Sequence, residues 1–480
     1  MDKNLEVGTS HVENYQDAMD AKPTVDEYDA ARHAKLRHKI DRRLLPLFCW
    51  VYLLNYLDRS NIGNAKILND ETGDSFLSSV NMTATQYSIT ITVFSIFYCL
   101  FEVPSNWVMK RYVKPSNWLA FLIFSWGVVT IGFAFVKNYA GVIALRTLVG
   151  LFEAGAYPGM IYIRTFWYRQ EERGIRIALV SASSTCAGAF GGLVAYGMAY
   201  LNRHAGLRGW QWLFLIEGAI TVLCTLLLVF FAPDYPSTTK WLTEEEREFA
   251  TKRLEEQNSG YTSEPASRRE VIDTFVGPRM LLHYTTYFTN VIVFQGLVYF
   301  TPTIVHGLGY SSVQAQLMTV APWAASYVVA LILAKAADHF NARGFIAAGA
   351  AVVSGAAFLG SSLLPPDAFG RRYACLIVGC CGVFPSCAPL TAWVSCNAPS
   401  PRTVGYAVAL NNSVSGIASI IGVWIWQSEQ SAKGFPLGNR VSCACSFVTA
   451  IFALVLRYWY VRMNKNNQLD STGSPRVWLL

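Results

Sequence analysis

Apolar residues run in blocks of about twenty along most of this chain, and a helix of that length crosses the hydrocarbon core of a bilayer. Read with such a window, the pattern predicts twelve spanning helices near 43–64, 86–108, 117–137, 141–163, 177–200, 210–232, 282–303, 314–336, 344–364, 373–396, 404–427 and 441–462. They fall as six, a gap and six more. The gap, 233–281, opens with prolines and continues as "LTEEEREFATKRLEE", whose threonine and leading glutamates predict a capped, short amphipathic helix. The expected layout is a cytoplasmic tail (1–42), a first six-helix bundle (43–232), a cytoplasmic linker (233–281), a second bundle (282–462) and a cytoplasmic tail (463–480). The first 42 residues hold no apolar region that reads as a cleaved signal, so the first span is expected to direct its own insertion.

Charge sets the orientation. With both termini and the linker in the cytoplasm, 29 of the 39 lysines and arginines lie inside, 8 lie outside, and Arg59 and Arg146 lie within spans. A composition 52% hydrophobic and 15% charged excludes an ordinary soluble domain. The net charge of +7 collects where anionic cytoplasmic lipid would meet it, which points to a lipid bilayer and not to nucleic acid as the partner. The eleven cysteines sit in or beside spans without a CxxC pair and read as small packing residues. "NMT" at Asn81, in the first external loop, is an acceptor sequon for glycosylation. No nucleophile arrangement, metal cluster or phosphate loop marks an enzyme, and no cofactor is expected.

Charges inside spans are expensive, by roughly 2.5–3.5 kcal/mol each on insertion scales, so each is a functional candidate. The pattern singles out Asp58 and Arg59 in the first span, Arg146 and Glu153 in the fourth and Glu217 in the sixth, all in the first half. Helical spacing puts Arg146, Gly150, Glu153 and Tyr157 on one face, and Asn55, Arg59 and Ile62 on another. Asp58, about 100° from Arg59, points to a different neighbour. The guanidinium suits a carboxylate and stays charged. Glu153, near mid-bilayer, is placed to load and release a proton near neutral pH. For Arg146 and Glu217 a buried ion pair that fixes packing is the expected role.

The second half carries amides and aromatics instead. Asn290, Gln295, Asn411 and Asn412 are cavity candidates, because an amide in hydrocarbon needs a partner. Most aromatics there read as packing or interface residues. "GAYPG" (155–159) and "GAFGG" (188–192) predict close helix approach, with a bend at Pro158, and "CGVFPSCAP" (381–389) puts two prolines in the tenth span.

Several strings together, "RRLLPLFCWVYLLNYLDRSNIGNAKI" (42–67), "FEVPSNWVMKRYVKPSNW" (101–118), "RTLVGLFEAGAYPGMIY" (146–162), "WQWLFLIEGAIT" (210–221) and "VYFTPTIVHGLGYSS" (298–312), resemble the major facilitator superfamily. Within it they are similar to the fungal allantoate permease branch of the anion:cation symporters. The resemblance implies an all-α membrane protein of two pseudo-symmetric six-helix bundles that takes up small organic anions with protons. Substrates of fungal members are carboxylates such as allantoate, ureidosuccinate, nicotinate, pantothenate and biotin. Carried over by motif, it implies substrate or proton roles for Tyr56, Asp58, Arg59 and Glu153. The expectation is that Arg59, with Asn55, Tyr56, Asn290, Gln295, Asn411 and Asn412, binds the anion while Asp58 and Glu153 exchange protons. The superfamily's loop after the second span is replaced here by "NWVMKRYVKP" (106–115), and Asp338 with Arg343 form a partial second copy. By resemblance the chain is a monomer in the plasma membrane. The rival readings are a proton-driven exporter and a non-transporting nutrient sensor.

Overall fold

In the computed structural model, residues 25–232, 235–259, 267–340, 342–400, 403–466 and 478–479 are described. Among them every regular element is a helix. The first half comprises α1 (Val25–Ile67), α2 (Ala84–Arg111), α3 (Pro115–Phe133), α4 (Tyr139–Glu153), α5 (Ala156–Thr165), α6 (Gln170–Ala199) and α7 (Gly209–Phe231). Two shorter helices, α8 (Glu244–Ser259) and α9 (Arg268–Val276), connect it to the second half. That half comprises α10 (Pro278–His306), α11 (Ser312–Met318), α12 (Val320–His339), α13 (Arg343–Leu363), α14 (Phe369–Cys396), α15 (Val404–Trp424) and α16 (Pro436–Lys465).

Eleven helical segments among the described residues are long and apolar enough to span a membrane. α4 with α5 counts as one of these, as does α11 with α12. The first predicted span is missing from that set because Asn55, Asp58 and Arg59 dilute its hydropathy. The helix itself is present, and it starts well before the predicted boundary: α1 runs unbroken from Val25 through residues expected to be tail. Local chemistry sets several boundaries. Thr83 caps α2 in a capping box, its Oγ1 accepting from Gln86 N (3.2 Å) while Gln86 Oε1 accepts from Thr83 N (2.9 Å). The linker helix opens on a similar box between Thr243 and Glu246, as its sequence predicts.

The fourth predicted span breaks at Ala154–Gly155, one turn before Pro158. A proline leaves the carbonyl four residues earlier without its helical donor, which puts the break before the ring and not at it. Gly188 of α6 supplies the close approach expected of its motif: a Cβ there would lie 2.0 Å from the ring of Trp323 on α12.

The linker packs on the first half. Lys39 of α1 bonds Glu246 (2.5 Å), His33 packs on Phe249, and Arg253 donates to Trp167 O (2.8 Å). Near the other end of the chain, Trp478 and Leu479 are also docked. Leu479 exchanges backbone hydrogen bonds with the Asn397 amide (2.9 and 3.0 Å), and its carbonyl accepts from Trp393 Nε1 (2.7 Å). Trp478 pairs likewise with Asn464 and stacks on Tyr460. The eleven cysteines are free thiols. Asn81 is exposed in the loop between α1 and α2.

Candidate functional site

A cavity of about 2650 Å³ lies between the two halves. It opens at the linker end, where Arg37, Arg169, Lys335, His339 and Arg343 give it a basic rim. Two acids on that rim are already engaged: Asp41 by Arg176 (2.6 Å), and Glu172 by Arg253 (3.3 Å) and Arg37 (4.0 Å). Such a rim favours the approach of anions.

The opposite end is closed by contacts between halves. Gln316 donates to Asn64 O (2.9 Å), Ser312 N to Glu71 Oε1 (2.9 Å), and Lys66 Nζ to Ser428 Oγ (2.5 Å). The same ammonium lies over the rings of Tyr87 (4.5 Å) and Phe300 (4.7 Å). Gly63 lets α1 touch α10, since a Cβ there would meet the Tyr299 carbonyl oxygen at 2.5 Å.

Arg59 sits deep in the cavity, framed by the rings of Tyr98 (4.7 Å), Tyr56 (5.3 Å) and Phe94 (5.4 Å). Its Nε donates to Glu153 Oε1, which also accepts from Asn55 Nδ2 (2.9 Å). Glu153 is 1% exposed and does not line the cavity, whereas Arg59 does. Asp58 faces the other way, into the first half, where Trp126 Nε1 (2.9 Å) and Thr221 Oγ1 (3.1 Å) donate to its Oδ2. The adjacent acid and arginine thus serve different surroundings, as 100° per residue requires.

Of the other candidates, Asn55, Tyr56, Gln295 and Asn412 line the cavity, and Gln295 Oε1 has no partner among the described residues. Asn290 and Asn411 do not line it. Asn290 is buried against α14, donating to Cys387 Sγ (3.1 Å) and accepting from Ser386 Oγ (2.8 Å). Asn411 is fully buried with both amide atoms unpartnered among the described residues.

Arg146 and Glu217 depart from the expected ion pair. Arg146 makes no ion pair among the described residues and lies over Phe133 (5.2 Å) and Phe94 (6.0 Å), while Glu217 accepts from Asn61 Nδ2. The ring faces of Phe133 and Phe94 supply part of the attraction that a carboxylate would. Arg343 donates to Cys396 Sγ (3.1 Å) at the mouth, and the side chain of Asp338 lies outside the described residues.

Glu102 was missed. It falls inside the second predicted span, and the structure puts it on the cavity wall, one turn beyond Tyr98 on α2. Its position within 86–108 was signal enough. Lys66 was passed over too, lying just past the first predicted span.

A helical membrane protein with a deep, charged cavity open at one end and sealed at the other is built as a transporter of small molecules. The sequence profile of the Major Facilitator Superfamily matches residues 48–423, and the chain belongs to that family. It is 44% identical over 442 residues, 92% of this chain and 89% of the relative, to the MFS transporter prlL of Fungal sp. (strain NRRL 50135). It is 32% identical over 457 residues, 92% of this chain and 86% of the relative, to the MFS-type transporter cnsO of Penicillium expansum. Among solved structures, the partially occluded inward open xylose transporter XylE from E. coli superposes with a TM-score of 0.63 at 15% identity, covering 86% of this chain and 99% of that one. That likeness is one of fold.

Proposed function

We propose that this transporter imports a small organic anion together with protons by alternating access, as a monomer of the plasma membrane with both termini cytoplasmic. In that orientation the described state opens inward. The observation that carries the reading is Arg59, exposed to the cavity on one side and held on the other by the dry carboxylate of Glu153. A substrate carboxylate and Glu153 compete for one guanidinium. Protonating Glu153 releases Arg59 to the substrate, so proton and anion favour each other's binding, and Asp58 is the second acid through which the proton passes. Asn55, Gln295 and Asn412 supply neutral hydrogen bonds. The aromatic walls at Tyr56, Phe294 and Phe384 suit a planar carboxylate such as nicotinate over a branched one. The similarity of the quoted motifs to the allantoate permease branch supports the same substrate class.

The test is uptake of a radiolabelled panel (nicotinate, allantoate, pantothenate, biotin, a sugar acid, a dipeptide) by cells expressing the chain at external pH 5 and 7.5, with and without uncoupler. One carboxylate should accumulate faster at pH 5 and lose accumulation with uncoupler. Outward flux of the same anions in sealed vesicles, or no flux with a signalling response, overturns the importer reading.

A further inference from the structure

The contact between α1 and α7 includes four polar side chains, of which the transport reading uses only Asp58. Asp58 and Asn61 lie one turn apart on α1, and Glu217 and Thr221 lie one turn apart on α7. Thr221 Oγ1 donates to Asp58 Oδ2 (3.1 Å), and Asn61 Nδ2 donates to Glu217 Oε2. Three oxygens in this patch have no donor among the described residues: Asp58 Oδ1, Asn61 Oδ1 and Glu217 Oε1. Their residues are 7%, 0% and 1% exposed and none lines the cavity, so cavity water does not serve them.

Charge counting sharpens the problem. Around the middle of the first half, the carboxylates that do not line the cavity, Asp58, Glu153 and Glu217, stand against the guanidiniums Arg59 and Arg146, while Glu102, the other acid near Arg59, lines the cavity and is left to its water. Glu153 takes Arg59, and Arg146 of α4 lies near both Glu153 and Asp58. The packed neighbours offer nothing further. α3 and the membrane part of α6 carry no charged residue, Lys66, two turns beyond Asp58, is bonded to Ser428, and α10 carries Arg279 and His283 near one end, bonded to Met463 and Tyr460, and His306 at the other. With every group ionised, the cluster holds one more negative charge than positive. An unbalanced charge in a dry interior is strongly unfavourable.

We propose that Glu217, together with the unpartnered oxygens of Asn61 and Asp58, retains one monovalent cation, either a proton on the carboxyl or Na⁺ among the oxygens. This cation is resident: it stays through the transport cycle and is distinct from the proton that Glu153 exchanges. With it in place, Asp58 balances Arg146 and Glu153 balances Arg59. The inference needs only the buried setting, not the identity or direction of the substrate.

The experiment is the thermal unfolding midpoint of the purified full chain in detergent, with NaCl replaced by choline chloride at constant ionic strength, at pH 6 and pH 8.5. If Na⁺ is resident, the midpoint rises with NaCl and not with choline, and Glu217→Gln loses the rise. If a proton is resident, NaCl and choline are equivalent, the wild-type midpoint falls between pH 6 and pH 8.5, and Glu217→Gln is flatter across that range. A Glu217→Gln variant with the full wild-type response to both overturns the proposal. Should that variant not fold, Asp58→Asn carries the test, because it also brings the charge count to zero and should diminish the same response. Where all variants fold, Glu217→Gln and Asp58→Asn together leave one surplus positive charge, so the double variant should lose more than the two single losses summed. Additive losses refute the charge count. Because no substrate is added, failure to find a transported anion leaves the result interpretable.

Discussion

The two halves of the molecule hold themselves together with different chemistry. Between the first-half helices lie Asp58, Arg59, Arg146, Glu153 and Glu217, all buried. Among the described residues the mid-membrane interior of the second half is joined by neutral bonds, Asn290 with Ser386 (2.8 Å), His283 with Tyr460 (2.7 Å), Thr289 with Thr449 (2.7 Å) and Ser354 with Ser446 (3.2 Å), its buried Arg372 lying at the closed end against Gly434 O. Neutral bonds keep their strength whatever is bound in the cavity, while charged ones depend on which partners are ionised. The contrast teaches a division of labour. Under the proposed mechanism the first half is the part that answers to charge and protons, and the second gives the cavity its shape.

Four experiments bear on that contrast, beginning with the most damaging. Arg59→Ala should abolish uptake, a loss beyond about 100-fold, since a buried charged hydrogen bond and its unpaired partner together exceed about 3 kcal/mol. Normal uptake by this variant would remove the first half's charge from the mechanism. Glu153→Gln should preserve exchange of labelled for unlabelled substrate while losing accumulation driven by a pH gradient; accumulation that persists would move coupling elsewhere. In the second half, Gln295→Ala and Asn412→Ala should each raise KM by about 3- to 10-fold with kcat little changed, as expected for one neutral hydrogen bond of about 1 kcal/mol. Effects as large as that of Arg59→Ala would erase the distinction between halves.

The smallest effect concerns the loop at the closed end. Burial pushes the Asp74 carboxyl up, but hydrogen bonds from Asn202, Arg203 and Thr72 outweigh it and hold the group below its ordinary value. A carboxyl lowered on folding adds stability above the ordinary carboxylate range and loses it as pH falls through the lowered value. Asp74→Asn should therefore lower the unfolding midpoint slightly at pH 7, by less than about 1 kcal/mol, and the gap from wild type should close in acid. A gap that widens in acid would contradict this sign.

The spans were legible in the sequence because hydrocarbon demands long apolar runs, and the opposed directions of Asp58 and Arg59 followed from helical rotation alone. The same rotation bears on two amide pairs. Asn290 and Gln295, five residues apart, differ by about 140° around the helix, and Asn411 and Asn412 differ by about 100°. In each pair the structure turns one residue to the cavity and the other into packing. Polarity alone does not reveal which, because that depends on the rotation of α10 and α15 against their neighbours. Asn61, Trp126 and Thr221 were not legible as partners of the buried acids, since neutral side chains carry no mark of the charge they will meet. The length of α1 was hidden by a polar composition that suits a solvated helix and a tail equally well.

The docking of Trp478 and Leu479 has a practical consequence for anyone expressing this protein. Leu479 is hydrogen-bonded to Trp393 of α14 and to Asn397 just after that helix, while Ser395 and Cys396 of the helix line the cavity mouth. A fluorescent reporter or affinity tag fused after Leu480 would begin one residue from those bonds, beside the opening through which cargo passes. Placing the tag before Met1 instead would leave this corner of the protein as the sequence made it.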